Sequence, residues 1–436
     1  MTPQDAAGAS PARYVSTRQA AFIGVGAMVG AGIFSLLGAA GEVAGAAVWL
    51  AFVLAGVIAA LQGYSFAKFG ARYPSAGGLL EYVNQGFGPG HVATVTAWLV
   101  YAANAIVTAM VALSFGSYAS SAFTGGSAAW VKAFAVVIVV AMTATNVLGS
   151  TLVARVQSLV VFIVVGILAV FAAVTIANVD TTLLAPSGYP GLRDIVSGVA
   201  LTFFAFLGFG VVTFTAKDLA DPSRQLPRAM TIAIGLATVV YVAVALGVFG
   251  TLTVPEVIAA GPTAIAVAAQ PVLGQAGYWM MTVTALFATS GATNAGLYPA
   301  EGLCDHLAST GQFPDVMGGR VAGRASVGLL VAAAGIVLLV VLFDLSSVAS
   351  IGSAVALTIF GLVTLGHLRV YKDTGARLSL LALALATTGI TLLTFVFTTL
   401  IQEPASIVTL VVILVVSLGL DLGWARVREG RAAPAS

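Results

Sequence analysis

Run after run of about twenty apolar residues, unbroken by charge, decides what this chain can become. Backbone buried in lipid must satisfy its own hydrogen bonds, which leaves helices and closed barrels as the two solutions. The runs are continuously apolar, as in Val136–Val140 and Leu410–Val416, where a barrel strand would alternate. The expected fold class is therefore an all-α polytopic membrane protein. Composition agrees. Of 436 residues 59% are hydrophobic, and 18 basic plus 16 acidic side chains are too few to cover a water-facing surface. A disordered chain could not carry that apolar content. The single cysteine, Cys304, rules out a disulfide scaffold, and His91, His306 and His367 leave little for a metalloenzyme. A net charge of +2 gives no footprint for nucleic acid.

Twelve spans are expected, at 18–41, 44–69, 91–121, 130–149, 155–178, 194–218, 228–250, 278–306, 326–343, 346–369, 378–400 and 405–424. Basic residues retained on the cytoplasmic side orient them. With the N-terminus inside, Arg13, Arg18, Lys68, Arg72, Arg155, Lys217, Arg224, Arg228, Arg320, Arg324, Arg369, Lys372, Arg377, Arg426, Arg428 and Arg431 face the cytoplasm. Only Lys132 and Arg193 face outward. Both termini are thus expected inside, with the chain in the cytoplasmic membrane. The polar segment 1–17, which lacks a cleavable signal pattern, and the segment 425–436 are expected to be cytoplasmic tails. Two loops stand out. The segment 71–78 leads into Leu79–Phe87, expected as a short re-entrant piece, and 251–277 carries an external helix over a vestibule.

The first span holds Gly24, Gly26, Gly30 and Gly32, each costing about 1 kcal/mol relative to Ala in an uninterrupted helix. Two readings compete. Gly26 and Gly30 form a small-xxx-small pair suited to close packing, or the helix stops near Gly30 and restarts near Ile33, exposing N–H groups to an anion. The sixth span places Gly208 and Gly210 amid Phe203, Phe204, Phe206 and Phe209. Spans one and six are five apart, so an odd repeat inverts the second copy, and paired interruptions in inverted halves point to a transporter's midplane site.

Those residues also carry a resemblance. Gly26–Phe34, Tyr73–Gly78, Phe203–Phe209, Asp218–Arg228, Asn294 and Gly311–Pro314 together resemble the amino acid–polyamine–organocation superfamily of permeases along nearly the whole chain. The resemblance implies a leucine-transporter-like 5+5 inverted repeat with broken helices 1 and 6. Residues 18–369 would form the transport core, and 378–424 two accessory helices. It implies a substrate site at Met28, Gly30, Ala31, Gly32, Ile33, Asn104, Phe203, Phe204, Phe206, Gly208 and Phe209. It departs from the family at Gly210, where Glu is common, near Gly302, where an Arg is common, and at Val164, where a Lys is common. Ala27, Gly30, Leu286, Thr289 and Ser290 resemble a sodium cage of carbonyls and hydroxyls. Equally, the two hydroxyls could back-bond to the preceding turn. Sodium, a proton or plain exchange all stay open as coupling, and no other cofactor is expected.

Almost all acids sit at span ends. Glu301 and Asp305, one turn apart and able to pair with a cytoplasmic-side Lys or Arg, and Asp218 and Arg224 after the sixth span, are candidate gates, with interfacial solvation as the alternative. The absence of a carboxylate at mid-depth favours a substrate with a neutral side chain. The expected function is secondary transport of a small amino acid or related compound. A polyamine or amine exchanger, and a non-transporting amino acid sensor, are the alternatives. An enzyme is not expected, since no histidine lies mid-span, and the ATP-binding Gly-x-x-x-x-Gly-Lys motif is missing. The expected partners are a small-molecule substrate and the lipid bilayer; the sequence says nothing of a partner subunit.

Overall fold

The computed structural model describes residues 15–75, 77–148, 151–309, 311–321, 325–402 and 404–432. They are mostly helical. Ten stretches among them are long and apolar enough to cross a membrane, including His91–Phe123 (α5), Pro222–Phe249 (α9) and Leu345–Thr374 (α13). An eleventh apolar helix, Val327–Leu342 (α12), has 16 residues. The chain is an integral membrane protein of the polytopic helical kind.

The first expected span is two helices, Thr17–Ala31 (α1) and Ile33–Ala44 (α2), of 15 and 12 residues. A capping box starts α1: Gln19 N–H donates to Ser16 Oγ while Ser16 N–H donates to Gln19 Oε1. The chain ahead of it is tied down where Val15 N–H donates to the Asp218 carbonyl at 2.8 Å. The helix breaks at Gly32, where the sequence placed the restart near Ile33. Residues 1–14 of the expected tail lie outside the described residues.

Val48–Arg72 (α3) follows, then Leu79–Phe87 (α4), whose Gly86 lies against the Gly366 backbone of α13. This is the short helix expected after the second span, buried through Leu79, Leu80, Tyr82 and Val83. His91–Phe123 (α5) is followed by Ala128–Leu148 (α6) and Thr151–Ala177 (α7). Leu192–Phe204 (α8) comes next, and the sixth expected span then changes character. From Leu207 to Asp218 it is a 3-10 helix, so the chain is interrupted there just as α1 is interrupted at Gly32.

Between α9 and the next long helix, Val254–Ala260 (α10) and a 3-10 turn at Gly261–Thr263 pack on α2, with Gly261 backbone against Gly38. The expected external helix is therefore divided. Ala264–Ser309 (α11) bends at Gly274, whose φ of 66° only glycine adopts readily, and its second part is the eighth expected span. Two-residue strands at Arg320–Val321 and Ala325–Ser326 pair antiparallel before α12. Leu378–Thr398 (α14) and Pro404–Ala432 (α15) finish the chain, α15 continuing as helix into the segment expected to be tail.

Candidate functional site

The two interruptions meet. A Cβ built on Gly208 would stand 2.5 Å from the Ala27 carbonyl carbon and 2.5 Å from the Met28 nitrogen, so glycine lets the backbones of α1 and the 3-10 segment touch. One turn further out, Gly32 lies against Ala205, and Tyr241 Oη on α9 donates to the Ala205 carbonyl at 3.0 Å. Tyr241 packs between Phe52 and Phe206, with ring centroids at 5.3 and 5.1 Å. Ser114 Oγ donates to the Phe34 carbonyl at 3.1 Å. Ile33, Phe34, Phe206 and Tyr241 are all buried on this side of the Gly32 break.

On the other side a cavity of about 1200 Å³ opens towards the start of α1. Ala27, Asn104, Phe204, Ala205, Gly208 and Gly210 line it, together with Ala292 and Gly296 of α11 and Ala356, Ile359 and Phe360 of α13. Arg18 and Gln19 stand at the mouth. Asn104 is the polar side chain on the inner wall. Its Nδ2 donates to the Gly296 carbonyl at 2.7 Å, so the residue expected at the substrate site also ties α5 to α11. That bond occupies a donor and leaves Oδ1 as an acceptor on the wall.

Of the expected substrate residues, Asn104, Phe204 and Gly208 reach this cavity. Met28, Ile33, Phe203, Phe206 and Phe209 are fully buried in packing behind it. Phe203 and Phe209 meet Phe360 at 5.7 and 5.2 Å, and so back the ring that lines the wall. Gly30 borders a separate small void of about 20 Å³ with Val29, Val164, Ala288 and Ala292, room for one water. The side chains of Ala31 and Glu301 lie outside the described residues.

For the ion residues, Thr289 Oγ1 donates to the Ala285 carbonyl at 2.6 Å and Ser290 Oγ to Leu286 at 2.6 Å. Both hydroxyls thus bond their own helix, although a donating hydroxyl keeps lone pairs for a cation. Neither borders the void at Gly30, whose side-chain lining is apolar. Among the gate residues, Asp218 is exposed and Arg224 lies 3.7 Å from Asp221 Oδ2. Asp305 is half-buried next to Cys304. Among the described residues no ion pair joins Asp218 to Arg224.

The sequence did not point to the α13 face. Ala356, Ile359 and Phe360 are ordinary apolar residues at helical spacing, a pattern that core packing produces as readily as a binding wall.

The amino acid permease family model matches residues 15–420. The chain belongs to the amino acid permease family. It is 31% identical over 398 residues to the inner membrane transport protein YbaT of Escherichia coli K12, covering 91% of this chain and 93% of that one. It is also similar to the methylthioribose transporter of Bacillus subtilis, 27% identical with 59% of each chain covered. The branched-chain amino acid permease BcaP of the same organism is 26% identical with 51% of each chain covered. This permease is a membrane transporter, and the cavity between its interrupted helices is the candidate substrate path.

Proposed function

We propose that the permease moves a small amino acid with a neutral side chain by alternating access, through twelve spans arranged as a leucine-transporter-like inverted repeat with both termini in the cytoplasm. The carrying observation is the cavity at the junction of the two interrupted spans, whose inner wall is apolar apart from Asn104 and whose lining runs to Arg18 and Gln19 at the start of α1. A zwitterion suits such a site. Its carboxylate is received at the break around Gly30, Ala31 and Gly32 by the first backbone N–H groups of α2, at Ile33 and Phe34, since the Gly32 N–H is already donated to the Met28 carbonyl. Its ammonium is received by carbonyls of the 203–208 segment and by Asn104 Oδ1, and Phe204 forms part of the wall around the side chain. A cationic side chain would have no counter-charge there. Because the cavity opens towards Arg18, the cytoplasmic orientation of that end makes this the inward-facing state.

The count of twelve divides the 40-residue stretch Ile33–Arg72 into α2, joined to α1 as the first span, and α3 as the second, and adds the 16-residue α12. Cysteine labelling in a Cys304→Ser background checks it. Cysteines introduced at Arg224 and Lys372 should react with an impermeant maleimide only after the membrane is opened, and labelling of intact cells at either position would reject the arrangement.

Transport itself is tested by counterflow in proteoliposomes with a panel of amino acids and amines. Exchange of neutral amino acids is the expected result. Binding without exchange would make the protein a sensor, and exchange confined to amines would reassign the substrate. Replacing sodium by choline at fixed pH and voltage should leave uptake unchanged, in keeping with the back-bonded Thr289 and Ser290. A sodium requirement that Thr289→Val removes would restore the sodium cage.

A further inference from the structure

The cavity ends on small residues and one ring. Away from Arg18 and Gln19 its lining stops at Ala27 of α1, Val107 of α5, Phe204 of α8, Ala292 of α11 and Ala356 of α13. Beyond that level α5 belongs to the buried packing around α2, where Ser114 bonds the Phe34 carbonyl. Among these end residues Phe204 is the one large side chain. The size of ligand the closed end can take is therefore set by where this ring lies.

Two helices hold the ring from behind. A Cβ built on Gly352 of α13 would stand 2.5 Å from Phe204 Cζ and 2.9 Å from Ile106 Cγ2 on α5. Gly352 lies one turn beyond Ala356, and Gly352, Ile106 and Phe204 are all buried. The backbone at Gly352 has no positive φ, and glycine is a poor helix former, so conformation gives no reason for it there. Space does. The ring occupies the place that a side chain at 352 would take. The main chain beside the ring is tied, because Tyr241 Oη donates to the Ala205 carbonyl at 3.0 Å. With Gly352 and Ile106 behind the ring, the cavity is the side on which it is free to move.

We propose that Gly352 is a positioning residue for substrate selection: by letting the Phe204 ring lie back against α13, it sets the upper size limit of the side chain the permease accepts. The proposal rests on the reading of the cavity as the site of a neutral amino acid. Alanines, a valine and the ring make the closed end apolar, so the class selected is an amino acid with an apolar side chain. A methyl group at position 352 needs ordinary van der Waals distance from the ring, and relief moves the ring about 1 Å into the cavity. That takes away room for roughly one methyl group. In an apolar pocket one methylene changes discrimination by roughly 10- to 200-fold, enough to turn away the largest substrate while smaller ones pass.

The full-length protein tests this with glycine, alanine, valine, leucine, phenylalanine and tryptophan. Each is run as counterflow in proteoliposomes and as thermal stabilisation of the purified protein in detergent. In Gly352→Ala the largest amino acid that wild type accepts should fall by about tenfold or more, while the smaller ones stay within about threefold of wild type. Phe204→Leu should admit the next larger member, with a gain of similar size. The double variant Gly352→Ala/Phe204→Leu should return to the wild-type limit, because the added methyl no longer meets a ring. A uniform loss across the panel in Gly352→Ala means packing alone and overturns the proposal, as does an unmoved limit. If Gly352→Ala is not monodisperse, Phe204→Leu decides, and an unmoved limit there overturns it. Wild type that takes every member equally also overturns it. Stabilisation that shows these shifts without exchange sinks the transport reading and leaves the size limit standing. Neither exchange nor stabilisation by any member removes the site itself, and the size limit with it.

Discussion

Gly208→Val should reduce uptake by roughly 10- to 100-fold, the equivalent of the ~1–3 kcal/mol that overpacking costs. The first atom of any side chain at this position would stand 2.5 Å from Ala27 and Met28 main-chain atoms. Main chain cannot turn aside as the end of a flexible side chain can. Relief requires α1 to move away from the 3-10 segment, and that separation takes apart the junction from which the cavity wall is built. Gly208→Ala should fall between the two. Gly210, two residues on, is the internal control, because a Cβ there meets nothing within 4 Å. Gly210→Ala should therefore keep most of the activity. Equal uptake by Gly208→Val and wild type, at equal expression, would remove the backbone junction from the site.

How much of this was legible beforehand differs by element. The interruptions were, because four glycines in one span and two in another are hard to place in continuous helix, and the break falls at Gly32. The use made of each glycine was not. Gly26 lies against Val161 of α7 and Gly30 against Ala292 of α11, and neither neighbour could be paired from a single sequence. The phenylalanines of the sixth span illustrate a second loss. Phe203, Phe204, Phe206 and Phe209 are all expected at the substrate site, yet the pitch tightens to three residues per turn after Phe206, and the faces drift from those of an α-helix. Phe204 lines the cavity while the other three are buried around it. The buried seam in which Gln62 bonds Thr364 and Thr388, and Ser65 bonds His367, was invisible for another reason. Gln62, Ser65, Thr364, His367 and Thr388 are scattered over three helices, and no spacing rule connects residues 302 positions apart. A histidine near a span end reads as interfacial until its partners are seen.

The largest change in selectivity should come from adding a carboxylate where the wall has room for one. Gly210 lines the cavity, its backbone does not require a positive φ, and the space around it is empty. Thr213 Oγ1 donates to the Gly210 carbonyl at 2.6 Å, so the backbone there is held while the side-chain position stays open. In Gly210→Glu the new carboxylate faces a wall whose inner polar side chain is the neutral Asn104. With a neutral amino acid bound, that charge has no cation on the inner wall, the basic side chain of the lining being Arg18 at the mouth, whereas a lysine or diamine supplies one. Discrimination of this kind comes as much from penalising the wrong ligand as from attracting the right one. Counterflow by Gly210→Glu should shift from neutral to cationic substrates by roughly 100-fold in their ratio, taking ~3 kcal/mol for an unpaired buried charge relative to a paired one. Gly210→Gln, of nearly the same shape and without the charge, should keep the neutral preference. Should Gly210→Glu transport neutral amino acids as wild type does and still refuse lysine, the substrate does not pass this part of the cavity, and the site must be sought nearer the void beside Gly30.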